Sequence, residues 1–425
     1  MLETGAPPER AYLVGLERPR SRFDARDSLE ELATLVEATG TRVVGRTAQG
    51  RRAPDPSSWV GKGKAAEIAA EVKRLAADLV VCDEEVTPRQ QRGLEDLLGV
   101  RVVDRSAVIL DIFAKHAQSK EGRLQVEVAQ LEYVRPRLRG MWQHLERLGG
   151  GVGTRGPGET QLESDRRVIE RRLADLRARL ATVERQRERS RRSRSRDGLF
   201  LAALVGYTNA GKSTLLNALA GADVLVADQP FATLDATTRR ASLDGGTVIL
   251  LSDTVGFVNK LPPTLVAAFR ATLEELGDAD VLVHVVDAAH ANVHERIEVV
   301  DETLRSLGLR ERPTLLVFNK ADALGGAGEA RDALGAEFPA AVFVSALRGE
   351  GLDLLRGRLA EAAKADWQTV HLTLPYRAAG MVQRIREHGA LRRADYGEDG
   401  IAVEADVPAT LATELRAAGA ERSRA

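Results

Sequence analysis

The chain alternates short apolar runs with segments in which apolar residues recur every three or four positions. Short apolar runs predict buried strands, and the three-to-four spacing predicts amphipathic helices. Before His116, the runs Thr41–Val44, Asp78–Cys82 and Val100–Val103 are separated by helical patterns, one of which starts favourably with a proline after Thr87. Strands separated by helices predict a parallel sheet. We therefore expect a small α/β domain over residues 1–117.

Two longer segments with helical spacing follow. Their repeated apolar positions are Leu124, Val128, Leu131, Leu138, Trp142 and Leu145 in the first, and Ile169, Leu173, Leu176, Leu180 and Val183 in the second. They predict two long helices that pack antiparallel as a hairpin arm over residues 118–197, with a kink at Pro136. The glycine-rich stretch from Gly149 to Glu163 is expected to be an exposed, mobile tip that contacts a partner, with a plain linker as the alternative.

Apolar runs and helical patterns alternate again further along the chain. The runs are Leu199–Val205, Thr247–Ser252, Val281–Val286, Thr314–Phe318 and Val342–Leu347. They predict a second α/β domain over residues 198–364. The run Val370–Leu374, a helical segment from Ala378 to Glu387, and apolar residues near Ala390 and at Ile401–Val403 predict a small α+β domain over residues 365–425, whose function the pattern does not indicate.

The candidate chemistry begins after the first strand of the second domain, with the sequence Gly-Tyr-Thr-Asn-Ala-Gly-Lys-Ser at 206–213. A glycine-rich loop between a strand and a helix lets backbone N–H groups approach phosphate oxygens. Lys212 can neutralise the terminal phosphates, and the Ser213 hydroxyl can ligate Mg²⁺. The pattern predicts a phosphate-binding loop with a nucleoside triphosphate ligand, and a chance glycine-rich turn is the alternative.

Two further segments match the mobile switches of a nucleotide-dependent protein. The sequence Phe-Ala-Thr-Leu-Asp at 231–235 lies in a polar stretch, where Thr233 can join Ser213 on Mg²⁺ and Thr237 is the competing candidate. The next apolar strand leads into Asp-Thr-Val-Gly at 253–256. Asp253 can hold the metal through water, and the Gly256 N–H can meet the γ-phosphate.

The base specificity is predicted from Asn-Lys-Ala-Asp at 319–322. The Asp322 carboxylate can accept hydrogen bonds from guanine N1–H and from the exocyclic amine, a donor pair that adenine lacks, so GTP is preferred to ATP. Lys320 can lie along the ring, Asn319 ties the loop together, and the backbone after Ser345 can contact the base. The predicted GTP site comprises Gly206, Tyr207, Thr208, Asn209, Ala210, Gly211, Lys212, Ser213, Phe231, Ala232, Thr233, Leu234, Asp235, Asp253, Thr254, Val255, Gly256, Asn319, Lys320, Ala321, Asp322, Ser345, Ala346 and Leu347.

One position changes the expected mechanism. Many GTPases carry, after Asp-x-x-Gly, a glutamine that orients the attacking water, and this chain carries Phe257 there. Lys212 and Gly256 remain as catalytic groups, so we expect slow intrinsic hydrolysis that rises when a partner completes the site. Asn209 resembles the asparagine that coordinates K⁺ in potassium-activated GTPases, which makes K⁺ a candidate second cation. An ordinary loop residue is the alternative for Asn209.

Composition changes this picture only locally. The 425 residues carry a formal net charge of −1, and the single cysteine, Cys82, excludes a disulfide framework. Without a recognisable signal peptide or spanning segment, a cytoplasmic protein is expected, and a monomer. Between Ser164 and Asp197, however, thirteen arginines stand against six acidic residues. Clustered arginine favours a polyanionic partner, RNA first, over a solvated helix face, and the lysines of the turn Gly61–Lys64 are a weaker candidate with a solvated loop as the equal alternative.

With these motifs in place, the chain resembles the HflX family of ribosome-associated GTPases over most of its length. The resemblance rests on residues 206–213, 231–235 and 253–257 and, most specifically, on Gly-Thr-Arg-Gly-Pro-Gly-Glu-Thr-Gln-Leu-Glu at 153–163. Ala236 stands where the family usually has proline, and Ala321 replaces the common aliphatic residue of the Asn-Lys-x-Asp motif. Neither departure changes a ligand.

The resemblance implies a family-specific α/β domain and a helical arm that dock on the large ribosomal subunit near the peptidyl-transferase region, where they contact its rRNA. The implied output is separation of the subunits or rescue of stalled ribosomes under stress. Two alternatives stay open: an RNA chaperone or remodelling module with a regulatory nucleotide domain, and a GTPase of rRNA or tRNA assembly or tRNA modification. Intact subunits should stimulate only the first kind of protein strongly.

Overall fold

The computed structural model describes residues 7–19, 21–138, 157–197, 199–221, 230–231, 237–243, 247–262, 275–324 and 328–421. The protein is α/β, as predicted, and it divides into two compact units. The first holds Met1–Val183 with the segments Asp228–Asp235 and Phe257–Ala271, and the second holds Glu184–Ala227, Ala236–Gly256 and Thr272–Ala425. The division into four domains with boundaries at 117, 197 and 364 stays a prediction.

The first unit is built on a four-stranded parallel sheet. Its strands are β1 (Arg10–Glu17), β2 (Arg42–Gly50), β3 (Leu79–Cys82) and β4 (Arg101–Asp104), in the order β2-β1-β3-β4. The helices are α1 (Ala25–Ala38), α2 (Lys62–Arg74), α3 (Pro88–Leu98) and α4 (Arg105–His116). The predicted parallel sheet is confirmed, although β1 was missed and β2 continues past its predicted end at Val44.

The helix start predicted at Thr87 is also confirmed. Its hydroxyl oxygen accepts a hydrogen bond from Gln90 N at 3.2 Å, and the Gln90 side-chain oxygen accepts one from Thr87 N at 3.0 Å. This reciprocal capping box satisfies two donors that the first helical turn leaves without intrahelical partners. Pro88 follows at the first helical position, where its missing N–H costs nothing. Local sequence alone therefore determines where α3 begins.

Two helices form the described part of the arm. They are α5 (Lys120–Val134), which continues into a 3₁₀ turn at Arg135–Arg137, and α6 (Pro157–Asp197). Leu124 and Val128 of α5 pack with Leu173 and Leu176 of α6, which confirms that the two helices pair. Their antiparallel direction stays a prediction.

The loop between these helices differs from the prediction in one part. Residues 159–163 were expected in a mobile tip, and this is wrong because α6 already begins at Pro157. A proline suits the first turn of a helix, and the carboxylate of Glu159 complements the positive end of the helix dipole. Residues 139–156, which include Trp142, Leu145 and the glycines from Gly149 to Gly156, lie outside the described residues.

The second unit contains a six-stranded sheet. Its strands are β5 (Leu201–Gly206), β6 (Thr237–Ser242), β7 (Val248–Asp253), β8 (Val281–Asp287), β9 (Thr314–Asn319) and β10 (Val342–Phe343), in the order β10-β9-β8-β5-β7-β6. Only β6 is antiparallel to its neighbour. The described helices are α7 (Lys212–Ala220), α8 (Val293–Ser306), α9 (Glu329–Glu337) and α10 (Leu352–Ala363). The five predicted strands are confirmed, but the last is shorter than predicted, and the polar edge strand β6 was missed.

The C-terminal part is an antiparallel sheet with two helices. It runs β11 (Trp367–Leu374), α11 (Gly380–His388), β12 (Ala390–Gly397), β13 (Gly400–Pro408), α12 (Ala409–Ala418) and β14 (Ala420–Glu421), with the sheet order β12-β13-β11-β14. This is the connectivity of the split βαβ fold. The predicted α+β domain is confirmed. Within the described part of the chain, no helix has the length and apolar content needed to span a membrane.

Candidate nucleotide-binding site

The phosphate loop joins β5 to α7 at the point where the strand order reverses around β5. Open α/β sheets bind ligands outside the carboxyl ends of their strands at such a point. Two of the loop's glycines are required by close contacts and positive φ. Gly206 has φ 153°, and an added Cβ would lie 2.2 Å from the Val285 carbonyl oxygen; Gly211 has φ 88°, and an added Cβ would lie 2.3 Å from Asn319 Nδ2. The motif is therefore fixed by packing as well as by chemistry.

Lys212 is buried inside this loop. Its Nζ donates to the carbonyl oxygens of Gly206 at 3.2 Å and Tyr207 at 2.9 Å. Burial lowers the pKa of Lys212 to about 8, because it removes the water that stabilises an ammonium ion. Nearby phosphate charges would favour the protonated form again. The lysine is thus held where a phosphate group restores the charge that burial disfavours.

Two oxygen ligands suited to a divalent cation meet beside Lys212. The Ser213 hydroxyl donates to Asp253 Oδ2 at 2.6 Å, and Asp253 is the buried last residue of β7. Hydroxyl and carboxylate oxygens are the hard donors that Mg²⁺ prefers, so this pair fits the predicted metal site. Thr254 follows Asp253 but donates its hydroxyl to the Leu204 carbonyl oxygen at 2.7 Å, which gives it an anchoring role against β5.

The base loop is attached to the phosphate loop through Asn319. Asn319 Nδ2 donates to the Ala210 carbonyl oxygen at 2.9 Å, and Asn319 Oδ1 accepts from Ala346 N at 3.0 Å. One buried amide therefore joins three predicted elements of the site. Lys320 adopts a left-handed conformation with φ 60°, and its Nζ lies 2.8 Å from Asp287 Oδ2.

The sequence interpretation overlooked Asp287. The signal that could have identified it is its position at the end of β8, because the carboxyl ends of neighbouring parallel strands β8 and β9 meet at one edge of the sheet.

The Asp322 carboxylate is kept ionised. A hydrogen bond from the Ser345 hydroxyl, with smaller contributions from Arg348 and Lys320, holds the pKa of Asp322 below its ordinary value. Arg348 Nε lies 3.4 Å from Asp322 Oδ2, a contact that the sequence did not indicate. An ionised carboxylate can accept two hydrogen bonds, as recognition of guanine requires. Leu347, also predicted to line the site, is 82% exposed.

Other predicted residues lie apart from this cluster. Phe231 and Phe257 belong to the first unit, where Phe231 packs edge-on against Phe113 with ring centroids 4.7 Å apart and Phe257 is buried. Ala232, Thr233, Leu234 and Asp235 lie outside the described residues. Thr237, the alternative to Thr233 as a metal ligand, pairs with Asp253 across β6 and β7.

Two further side chains near the loop had no sequence signal or were not assigned a role. The Arg296 guanidinium on α8 lies over the Tyr207 ring, 4.6 Å from its centroid, a cation–π contact with the phosphate loop. His284 on β8 is buried, and burial, followed by the charge of Lys212, lowers its pKa to about 4. His284 is therefore a neutral core residue of the sheet at neutral pH.

An Asn-Lys-x-Asp loop that is bonded through its asparagine to a phosphate loop defines the class of protein: it is a P-loop GTPase. Three family models match this chain. They are described as GTP-binding GTPase N-terminal over residues 26–114, GTP-binding GTPase Middle Region over residues 116–194, and 50S ribosome-binding GTPase over residues 201–320.

Relatives of known name agree over almost the whole chain. A GTPase HflX of Lacrimispora saccharolytica is 45% identical over 415 residues, which cover 98% of this chain and 97% of the relative. A GTPase HflX of Escherichia coli is 44% identical over 392 residues, or 92% of each chain. The chain belongs to the HflX family and is an enzyme that hydrolyses GTP to GDP and phosphate. A solved GTP-binding protein of Sulfolobus solfataricus in complex with GDP is 25% identical, with a TM-score of 0.44 over 84% of this chain and 99% of that one.

Proposed function

We propose that this GTPase binds the large ribosomal subunit and its rRNA in the GTP state, and that it acts in the cytoplasm as a monomer to separate ribosomal subunits or rescue stalled ribosomes under stress. The observation that carries the proposal is the distribution of charge along the arm next to a GTPase domain. The name of the matching family model, 50S ribosome-binding GTPase, supports the same partner.

The arginines of α6 fall into two groups. Those in its first half pair with carboxylates: Arg172 with Glu127 at 2.7 Å and Arg177 with Glu132 at 2.6 Å across the arm, and Arg166, Arg167 and Arg179 with acids on α6 itself or just before Ser164. From Arg185 to Asp197, seven arginines stand against two acids. The excess positive charge therefore falls on the last turns of α6, which makes this end the proposed phosphate contact.

The proposed nucleotide chemistry uses the residues of the site in the predicted roles. Lys212 neutralises the terminal phosphates, the Gly256 N–H donates to the γ-phosphate, and Asp322 selects guanine. Ser213 and Asp253, with Thr233 or Thr237, would hold Mg²⁺, which supplies charge neutralisation for phosphoryl transfer.

Slow intrinsic hydrolysis is part of the proposal. Phe257 stands where many GTPases carry the water-orienting glutamine, and its ring is only 2% exposed. A buried hydrocarbon ring can neither donate nor accept a hydrogen bond from an attacking water. We therefore propose that the ribosome supplies the missing contribution to the transition state, as partner proteins do for other slow GTPases.

We also propose Asn209 as a ligand for K⁺. Its backbone has φ 59°, and its side chain is exposed at the phosphate loop, so the amide oxygen is available to a cation beside the phosphates. Turnover measured in K⁺ and in Na⁺ tests this, with Asn209→Ala as the matched variant. Faster turnover in K⁺ that the variant loses supports the role, and equal rates in the two salts contradict it.

Co-sedimentation with purified large subunits tests the proposed partner. Wild-type protein should pellet with the subunit in a non-hydrolysable GTP analogue and much less in GDP. A variant with glutamine at Arg189, Arg191 and Arg192 should bind more weakly, and its salt dependence should fall by about one unit per lost phosphate contact.

The control carries the same charge change on the same helix. Glutamine at Arg166, Arg167 and Arg179 removes three arginines that are already ion-paired, and it should leave binding close to wild type. Absence from the large-subunit pellet in both nucleotides would rule out the proposed partner. Binding that follows free or immature RNA instead would favour a chaperone, or an assembly or modification GTPase.

A further inference from the structure

The first unit's sheet has its own point of strand reversal. Because β2 lies on one side of β1 and β3 on the other, the carboxyl ends of β1 and β3 form the crevice where doubly wound sheets hold ligands. Arg18 follows β1, Asp83 and Glu84 follow β3, and Arg18 is ion-paired with Glu84. Charged groups from two strand ends therefore meet at this crevice.

The group in this crevice is the ammonium of Lys260. Lys260 Nζ lies 2.5 Å from Asp83 Oδ2, 3.0 Å from the Ser28 hydroxyl on α1 and 3.8 Å from Glu84 Oε1. Lys260 belongs to the short segment that follows Gly256, and this segment lies in the first unit from Phe257 onward. Its backbone has φ 56°, a left-handed conformation that lysine rarely adopts without tertiary contacts to hold it.

A second contact holds the same segment. Arg105 is 1% exposed, and its Nη1 donates to the Asn259 carbonyl oxygen at 2.9 Å while it also binds Asp83 and Glu31 at 2.8 and 2.7 Å. Burial alone would raise the pKa of Asp83, but Arg105 and Lys260 hold it below its ordinary value. Both cations thus bind an ionised, buried carboxylate, which makes the attachment of the segment strong and directional.

This attachment determines where Gly256 can lie. A Cβ added to Gly256 would lie 3.0 Å from the Cα of Thr208 and 3.1 Å from Lys212 Nζ. Gly256 is therefore packed directly against the phosphate loop. A γ-phosphate bound by both Lys212 and the Gly256 N–H would have to fit between these two groups, so Gly256 must withdraw to admit it. A GDP molecule has no γ-phosphate and makes no such demand.

We infer that Lys260 and Asp83 are positioning residues for GTP: their ion pair holds the segment after Gly256 in a position that disfavours the γ-phosphate, and release of Lys260 from the crevice admits it. The inference rests on the proposed role of Gly256 at the γ-phosphate. It makes the N-terminal sheet a receptor for a part of the GTPase switch, and it lets any partner that moves Lys260 change the preference between GTP and GDP.

The test compares the affinities of full-length protein for GDP and for a non-hydrolysable GTP analogue. Lys260→Met removes the ammonium, keeps the side-chain length and leaves the Asp83–Arg105 pair intact. It should tighten binding of the analogue relative to GDP by at least about fivefold, with GDP affinity unchanged. Lys260→Arg keeps a cation and should return the ratio towards wild type.

Two controls separate the possible failures. Lys115→Met removes an exposed ion pair with Asp111 in the same domain and should leave the ratio unchanged. Gly256→Ala should weaken the analogue more than GDP; if it does not, the proposed role of Gly256 fails. If Gly256→Ala behaves as expected but Lys260→Met leaves the ratio unchanged, or weakens both ligands equally, the positioning role is wrong.

Discussion

The side-chain amide of Asn319 donates to the carbonyl oxygen of Ala210 at 2.9 Å, which couples recognition of the base to the shape of the phosphate loop. The two residues are 109 positions apart, and both groups are buried. The same amide accepts from Ala346 N, so its loss would leave buried polar groups of two loops without partners. The order of the whole nucleotide site therefore depends on one side chain.

Replacing Asn319 tests this coupling. Asn319→Ala should lower the free energy of unfolding by about 1–3 kcal/mol and weaken GDP by tenfold or more, on the order of a lost buried hydrogen-bond pair. Asn319→Asp is the matched variant: it keeps an acceptor for Ala346 N but loses the donor to Ala210, so it too should weaken GDP. Thermal unfolding and fluorescent GDP binding measure both effects. Wild-type affinity in Asn319→Asp would show that the contact with Ala210 is unimportant.

Asp322 provides a prediction about the base. Asp322→Asn replaces an acceptor of two hydrogen bonds by a group that also donates, so guanine should be disfavoured by about 1–3 kcal/mol and xanthine, which offers a carbonyl oxygen at position 2, should be favoured. Competition of GDP and XDP for the protein measures this directly. Retention of the wild-type preference for GDP would contradict the assignment of Asp322 to the base.

The lowered pKa of Lys212 predicts a proton linkage. Above pH 8 the ligand-free lysine is mostly neutral, and bound phosphates favour its charged form, so nucleotide binding should take up a proton. Affinity for GDP should therefore fall by up to about tenfold per pH unit above 8 and stay nearly constant below 7. Calorimetry in two buffers with different ionisation enthalpies measures the proton count. Lys212→Arg, which stays charged throughout, should abolish the uptake, and its persistence there would assign the linkage to another group.

Local motifs predicted most of the nucleotide site, because a phosphate loop and an Asn-Lys-x-Asp loop owe their chemistry to residues close together in sequence. Contacts made across the fold were not predictable in this way. Asp287 reaches Lys320 from a neighbouring strand, and Asp83 reaches Lys260 over 177 positions. Neither carboxylate differs in its local sequence from an ordinary surface acid, so only the sheet order reveals its partner.

The fold shows the same division. Capping at Thr87 and the apolar runs of the central strands were read correctly, since local chemistry decides them. Strand β6 was missed because its exposed arginines, Arg239 and Arg240, give an edge strand no apolar run. The glycine count after Gly149 suggested a longer loop than exists, because Pro157 starts α6 within that stretch. Tertiary pairing and helix initiation overrode composition in these two places.

The central claim is that the ribosome completes a GTPase site that is slow on its own. The most direct measurement is the steady-state rate of GTP hydrolysis with and without intact large subunits, with Lys212→Ala as the inactive baseline and protein-free large-subunit RNA as the comparison. We predict slow turnover alone, stimulation on the order of a hundredfold or more by intact subunits, and little stimulation by the free RNA. Rapid hydrolysis by the protein alone, or equal stimulation by the free RNA, would contradict this account.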